Sequence, residues 1–335
     1  IMATAPLAPA VQQHDAASMR ALLDAQRTAF TAALPVSRAV RIDRLDRAIA
    51  MMIDHAEEWA AACSADFGHR PRELTMISDV LASTGALKHA KKHLSSWMKG
   101  ERRKSLFPLG LLGASSRVEY QPKGVVGIIA PWNFPISMVM TPLAGVFAAG
   151  NRAIAKPSEF TPAVAEMFAT LVPRYFAADE FAIVTGGADV GQAFSQLPFD
   201  HMIFTGATGV GKHIMRAAAE NLVPVTLELG GKSPVIVGQS ANIAEVAGKV
   251  AQGKMMNAGQ ICLAPDYVLI DEHREQALVD ALVESASTMY PTILDNDDYT
   301  SVVNDRHHAR LTAHVEDARA KGADITVVNP ANEDI

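Results

Sequence analysis

Five short apolar runs constrain the fold of this chain more than anything else in it. They are GVVGIIA (124–130), RAIAKPS (152–158), FAIVTG (181–186), DHMIFTG (200–206) and PVTLELG (224–230). Between them lie MTPLAGVFAAG, TPAVAEMFATLVPRYF, DVGQAFSQL and VGKHIMRAAAENL, whose apolar residues recur at helical spacing. Strand, helix, strand at this rhythm predicts an α/β fold: a parallel sheet with helices on both faces. In such sheets ligands bind beyond the carboxyl ends of the strands, so the residues just after each run are the ones to read for chemistry.

The sequence before this block reads as helical. MRALLDAQRTAFTAA and the stretch 37–67 place apolar residues three and four apart, with Pro35 and Ser37 punctuating one boundary and Gly68 and Pro71 the next. A further helix is expected over 72–98. Residues 1–14 read as a disordered lead-in, too short of charge and apolar length for a signal peptide. With 335 residues, 49% of them apolar and 20% charged, the chain is long enough for two domains and a large core. A net charge of -6 with no basic stripe argues against a nucleic-acid partner. The basic run 88–104 reads as a solvated helix face and loop. No apolar run of about 18 residues predicts a membrane span. Two cysteines, Cys63 and Cys262, form no disulfide framework and suit a reducing, cytoplasmic setting. Cys63, in alanine-rich WAAACSADF, reads as packing. No metal-ligand spacing is present.

The residues just beyond each strand carry the unusual chemistry. After GVVGIIA comes PWNFP (131–135), where two prolines stiffen a loop presenting Asn133. Its amide is suited to stabilise an oxyanion, or simply to cap a turn. After RAIA comes KPSE, where Lys156 and Glu159 can both reach a ribose hydroxyl pair, although surface Lys–Glu pairs are common. After HMIFT comes GATGVGK, a glycine-rich turn into a helix whose backbone N–H groups would attract phosphate. It lacks both GxGxxG spacing and the Ser or Thr of a P-loop. Glu228 lies within apolar VTLELGG, where desolvation is expected to raise its pKa towards that of a general base; pairing with a distant cation is the alternative. Cys262 follows a helix expected over 242–257 and sits in GQICLAPD, where neighbouring N–H groups could activate the thiol, or where it could pack inertly.

Together these segments resemble the aldehyde dehydrogenase superfamily. PWNFP, KPSE, FTGATGVGK, VTLELGGKSP and GQICLAPDY occur in the family's order, and the resemblance covers about residues 15–335. TGVGK, VTLELGGKSP and APDY are most similar to the class 3 branch. SSRVEYQPKGVVGIIAPWNFP resembles bacterial coniferyl aldehyde dehydrogenases.

The resemblance implies a Rossmann-like NAD-binding domain over 122–230, packed by N-terminal helices over 15–104. It also implies an oligomerisation arm over 105–121 and an incomplete α/β catalytic domain over 231–335. It implies Cys262 as nucleophile, Glu228 as general base, and Asn133 with the Cys262 backbone N–H as oxyanion donors. Lys156 and Glu159 would hold the adenosine ribose of NAD, with NADP also accommodated. Gly206, Ala207, Thr208, Gly209, Val210 and Gly211 would face the pyrophosphate. Leu229 and Gly230 would adjoin the cofactor, and Trp132 would border its cleft. The substrate would be an aromatic or medium-chain aldehyde, and the full-length assembly a homodimer. Apolar surroundings would keep water from Cys262 and Glu228.

Two features depart from the family pattern. Ala207 stands where many relatives carry serine, and the Glu-x-Phe-Gly-Pro motif that positions the nicotinamide ribose does not occur. Two other readings remain open: a CoA-acylating relative, which Glu228 opposes because such enzymes lack the base, and a catalytically silent nucleotide-binding or dimer-forming fragment.

Overall fold

The computed structural model describes residues 14–334. The lead-in expected over 1–14 therefore lies, apart from His14, outside the described residues. Helix α1 (Ala16–Ala32) opens on a reciprocal capping box between Asp15 and Ser18, and α2 (Arg38–Asp54) opens on Ser37. The helical reading of 37–67 holds, but as two helices. His55 leaves the helical region at φ -119°, ψ 27°, and α3 (Ala56–Phe67) starts afresh beyond it, ending at Gly68. The next helical stretch begins as α4 (Arg72–Thr75), passes through a π-helical turn (Met76–Leu81), and continues as α5 (Ala82–Trp97). Strands β1 (Glu101–Arg103) and β2 (Ser116–Val118) pair antiparallel. The connection between them exposes Leu106, Phe107, Leu111 and Leu112.

The five apolar runs are β3 (Val125–Ile129), β4 (Arg152–Lys156), β5 (Phe181–Ile183), β6 (His201–Gly206) and β7 (Val225–Leu229). They form one parallel sheet in the order β5-β4-β3-β6-β7. The crossovers are α6 (Ser137–Ala148), α7 (Pro162–Tyr175), α8 (Ala188–Ser195) and α9 (Thr208–Ala219). One core gathers Val126, Ile128, Ala153 and Ala155 of the sheet with Trp59, Leu87, Phe147 and Phe168 of the helices. On the opposite face Val125, Ile154 and Met202 pack with Met19, Leu23, Phe194 and Ile214. Burial on both faces is why β3 and β4 read as unbroken apolar runs rather than as alternation. Each large side chain fully buried here contributes roughly 1.5–3 kcal/mol.

Beyond the sheet, β8 (Ser233–Ile236) and β9 (Pro265–Leu269) pair parallel, joined by α10 (Ile243–Met255). Helix α11 (Glu275–Met289) packs on α10, and α12 (Asp305–Ala320) follows. This second unit is thin. Ile236 and Leu269 are 77% and 53% exposed, and a groove of about 330 Å³ opens between α10, β9, α11 and the segment bearing Thr326 and Val328.

Candidate active site

The strand order reverses on either side of β3, so the crevice of the sheet lies above its carboxyl end, flanked by β4 and β6. The register levels the three strands there, with Ile129 opposite both Lys156 and Phe204. The loop leaving β3 carries Trp132 and Asn133. The end of β4 carries Lys156, a buried ammonium whose Nζ lies 3.1 Å from Glu159 Oε2 and 3.3 Å from the Pro157 carbonyl oxygen. Glu159 itself is at the surface.

From β6 the chain enters α9 through Gly206–Gly211. A Cβ on Gly206 would stand 2.6 Å from the Phe204 ring, and one on Gly211 would stand 2.9 Å from Leu229. These glycines let the helix start lie close to the sheet. Around Gly209 there is open space, and Ala207, the N-cap, supplies no side-chain oxygen to the first turn. The exposed N–H groups of that turn therefore present the positive end of the helix dipole at the crevice.

Cys262 lies in the turn before β9, and its backbone is tied to the segment just beyond the strand that carries Glu228. The N–H of Gly231 donates to the Cys262 carbonyl oxygen at 3.2 Å, and Lys232 pairs with Asp266 at 3.0 Å. The loop after β3 is tied to the same turn, because Asn133 Nδ2 donates to the Gln260 carbonyl oxygen at 2.9 Å. Three of the singled-out segments therefore converge on the residues just before and after Cys262.

Two expectations are corrected here. Glu228 is not buried: β7 is the edge of the sheet, and Glu228 occupies an outward position of an alternating pattern, exposed to solvent. Cys262 is exposed too, beside an exposed Leu263, so apolar neighbours in sequence do not become an apolar enclosure in space. Cys63, by contrast, is fully buried, and its thiol pKa is driven far up, chiefly by burial and then by the Asp79 carboxylate.

Several residues of the site were not singled out from the sequence. Gln260 grips segment 301–303 with both ends of its amide, donating to Ser301 O at 3.1 Å and accepting from Val303 N at 3.0 Å. Buried Asn257 donates to the carbonyl oxygens of Asn133 and Gln260 at 3.2 and 3.3 Å. Asn257, Ala258 and Gly259 are successively left-handed, with φ of 52°, 51° and 74°. For Ala258 that conformation costs roughly 1–2 kcal/mol. Such strain persists only where surrounding bonds over-determine it. His307, at the start of α12, lies against Trp132 and Phe160, with ring centroids at 4.8 and 5.6 Å. Its pKa is held below the usual histidine value, first by burial and then by Arg310 and Arg306. The Asn-Ala-Gly step before Gln260, an invitation to left-handed backbone, was the one available signal for this loop.

The family model described as "Aldehyde dehydrogenase family" matches residues 3–334. The chain belongs to the aldehyde dehydrogenase family. It is 53% identical over 320 residues to a probable coniferyl aldehyde dehydrogenase of Caulobacter vibrioides, covering 95% of this chain and 66% of that protein. It is 52% identical to the coniferyl aldehyde dehydrogenase of a Pseudomonas species, covering 93% of this chain and 64% of the relative. Among solved structures, the substrate-bound Staphylococcus aureus AldH superposes with a TM-score of 0.85 at 35% identity, covering 90% of this chain and 65% of that one. The chain thus spans somewhat less than two thirds of the length of these aldehyde dehydrogenases, and the parallel-sheet architecture expected from its sequence is theirs.

Proposed function

We propose that these residues serve an NAD(P)-dependent oxidation of an aldehyde, of the coniferyl type, to its carboxylic acid. The observation that carries this reading is the 2.9 Å bond from Asn133 Nδ2 to Gln260 O, which sets an amide donor two residues from the only exposed thiol among the described residues. The cofactor unit is read as residues 122–230, the nucleophile-bearing unit as 231–335, and 105–121 as an arm used in a homodimer. A cytoplasmic location suits two unpaired thiols, and no helix of the described residues is long and apolar enough to cross a membrane.

The residues present fit a dinucleotide. Lys156 and Glu159 form a paired, half-open polar ledge at the end of β4, and the space around Gly209 at the start of α9 is what a pyrophosphate needs. Leu229 packs beside that turn, next to Gly230, and Trp132, in the loop after β3, would border the cleft. Glu159 would accept from ribose hydroxyls and meet a 2′-phosphate with like charge, which favours NAD over NADP.

In the reaction the Cys262 thiolate adds to the aldehyde carbon. The C–S bond forms as the carbonyl π pair moves to oxygen, where Asn133 Nδ2–H and the Cys262 backbone N–H stabilise the charge. A dinucleotide held at these residues would supply the hydride acceptor, and an acyl group would be left on the Cys262 sulfur. Glu228 then takes a proton from water as its oxygen adds to the acyl carbon. The C–S bond breaks, sulfur leaves with the electron pair, and the acid is released.

Spectrophotometric assay of coniferyl aldehyde with NAD tests the reading. NADH is expected to form, and Glu228→Gln is expected to keep the first burst while steady turnover falls about 10²–10⁴-fold. Burst and steady rate falling together would remove Glu228 from the deacylation role. Dinucleotide binding without any NADH would favour the silent fragment instead.

A further inference from the structure

Arg70 and Asp79 form an ion pair in which neither side chain has any exposure, with Arg70 Nη2 2.8 Å from Asp79 Oδ2. Charges so buried are costly, and apolar replacements often serve stability equally well. What the pair holds is therefore informative. Asp79 sits in the π-helical turn between α4 and α5, and π turns are uncommon insertions that concentrate at functional sites. Its Oδ2 also receives Ser78 Oγ at 3.2 Å. Its Oδ1 accepts the backbone N–H groups of Ile136 and Ser137 at 3.2 and 2.9 Å. Those two open α6, whose N-cap position, Ile136, has no capping side chain of its own. The Arg70 guanidinium lies over the rings of Phe67 and Phe134, at 5.0 and 5.4 Å. Phe134 follows Asn133 directly, and Phe67 approaches Trp132 at 6.3 Å.

The same segment reaches the other side of the site. His69 O accepts from Ser301 N at 3.0 Å, and His69 Nε2 lies 2.9 Å from Asp297 O. Ser301 and Val303 are the residues gripped by the Gln260 side chain, and Gln260 O holds Asn133 Nδ2. The chain of contacts closes: Asp79 to the loop after β3, Asn133 to Gln260, Gln260 to Ser301, and Ser301 back to the neighbour of Arg70.

We infer that the buried Arg70–Asp79 pair is a positioning device for the oxyanion donor. It fixes the loop directly beyond Asn133, and through Phe67 reaches Trp132 before it, and so aligns that amide with the turn of Cys262. This rests on the aldehyde-oxidising role proposed above. The effect belongs to geometry rather than to contact, so a double-mutant cycle with Asn133 identifies it.

The test measures how well cinnamaldehyde, through reversible addition to Cys262, protects that thiol from iodoacetamide in the full chain. Asp79→Asn and Arg70→Lys are each made with Asn133 present and with Asn133→Ala, and each variant is also melted. With Asn133 present, Asp79→Asn is expected to weaken protection about tenfold or more, since small misplacements of aligned groups are costly. With Asn133→Ala it is expected to change protection by less than about twofold, while the thermal midpoint falls equally in both backgrounds. Arg70→Lys, which keeps the charge, is expected to show the same pattern with a smaller factor, and it carries the cycle if Asp79→Asn does not fold. Equal losses of protection in both backgrounds, or no loss in either, would overturn the inference alone. Absence of protection in the unsubstituted chain would overturn the functional reading and this inference with it.

Discussion

The strand that presents Lys156 and the strand that comes after Cys262 stand on foundations of very different depth. All five residues of β4 are buried, with helices packed on both faces of the sheet. No residue of β9 is buried, and its partner β8 ends in a largely exposed isoleucine. The positions proposed for the cofactor are therefore set by packing, whereas the turn of Cys262 is held by a few polar bonds: one to the packed unit, from Asn133 to Gln260, and two to the residues just beyond β7, from Gly231 to Cys262 and from Lys232 to Asp266. Packed interiors hold side chains in single rotamers. Polar cross-links hold only as well as their geometry, so the site's precision depends on the residues that aim them.

The largest expected consequence concerns the two thiols. Iodoacetamide is expected to modify Cys262 faster than Cys63 by on the order of a thousandfold, since Cys63 becomes reachable only through opening of the deep core. Peptide mapping at short times measures the ratio, and urea should abolish it. Comparable labelling of both in the folded chain would mean the α3 core is no more closed than the Cys262 turn. Next in size is the cost of truncating side chains in the two units. Phe168, fully buried and 4.7 Å from the Trp59 ring, is expected to lose about 3–5 kcal/mol on Phe168→Ala. Ile236→Ala on β8 should stay within about 0.5 kcal/mol, as exposed substitutions do. Urea unfolding read by tryptophan fluorescence decides, and similar losses at the two positions would erase the contrast.

How much of this was legible in the sequence divides along the same line. Strands β3 and β4 could be read because central strands buried on both faces leave continuous apolar runs, and all five strands because the turns after them carry glycine or proline. The break at His55 could not, because nothing between Asp54 and Glu57 is a helix breaker. Glu228 was misplaced for a related reason: VTLEL reads alike whether a strand has two neighbours or one, and only the strand order makes β7 an edge. The ties that assemble the site were out of reach. Asn133 meets Gln260 across 127 positions and Asp79 meets Ser137 across 58, distances over which local pattern carries no information. The motifs pointed to the segments around Cys262; the tertiary fold supplied the contacts that hold them together.

The smallest expected effect is at the place where the thin unit reaches back to the deep one. Helix α12 lays His307 against Trp132 and Phe160, the loops at the ends of β3 and β4. Burial, then Arg310 and Arg306, lower its pKa, so the docked state prefers the neutral ring. An undocked helix start would bind a proton at the ordinary value of about 6.5. The sign comes from linkage: docking is fully favoured above that value and loses support as pH falls through it towards the lowered one, because the undocked state then binds more protons. Amide hydrogen exchange over residues 305–312, corrected for intrinsic rates, is therefore expected to show less protection at pH 5.5 than at pH 7.5, with residues of β4 unchanged. His307→Gln, which cannot titrate, should flatten the difference. Retention of the full pH dependence in His307→Gln would assign it to another group. Equal protection of α12 at both pH values would show that the junction between the two units does not depend on the charge of this ring.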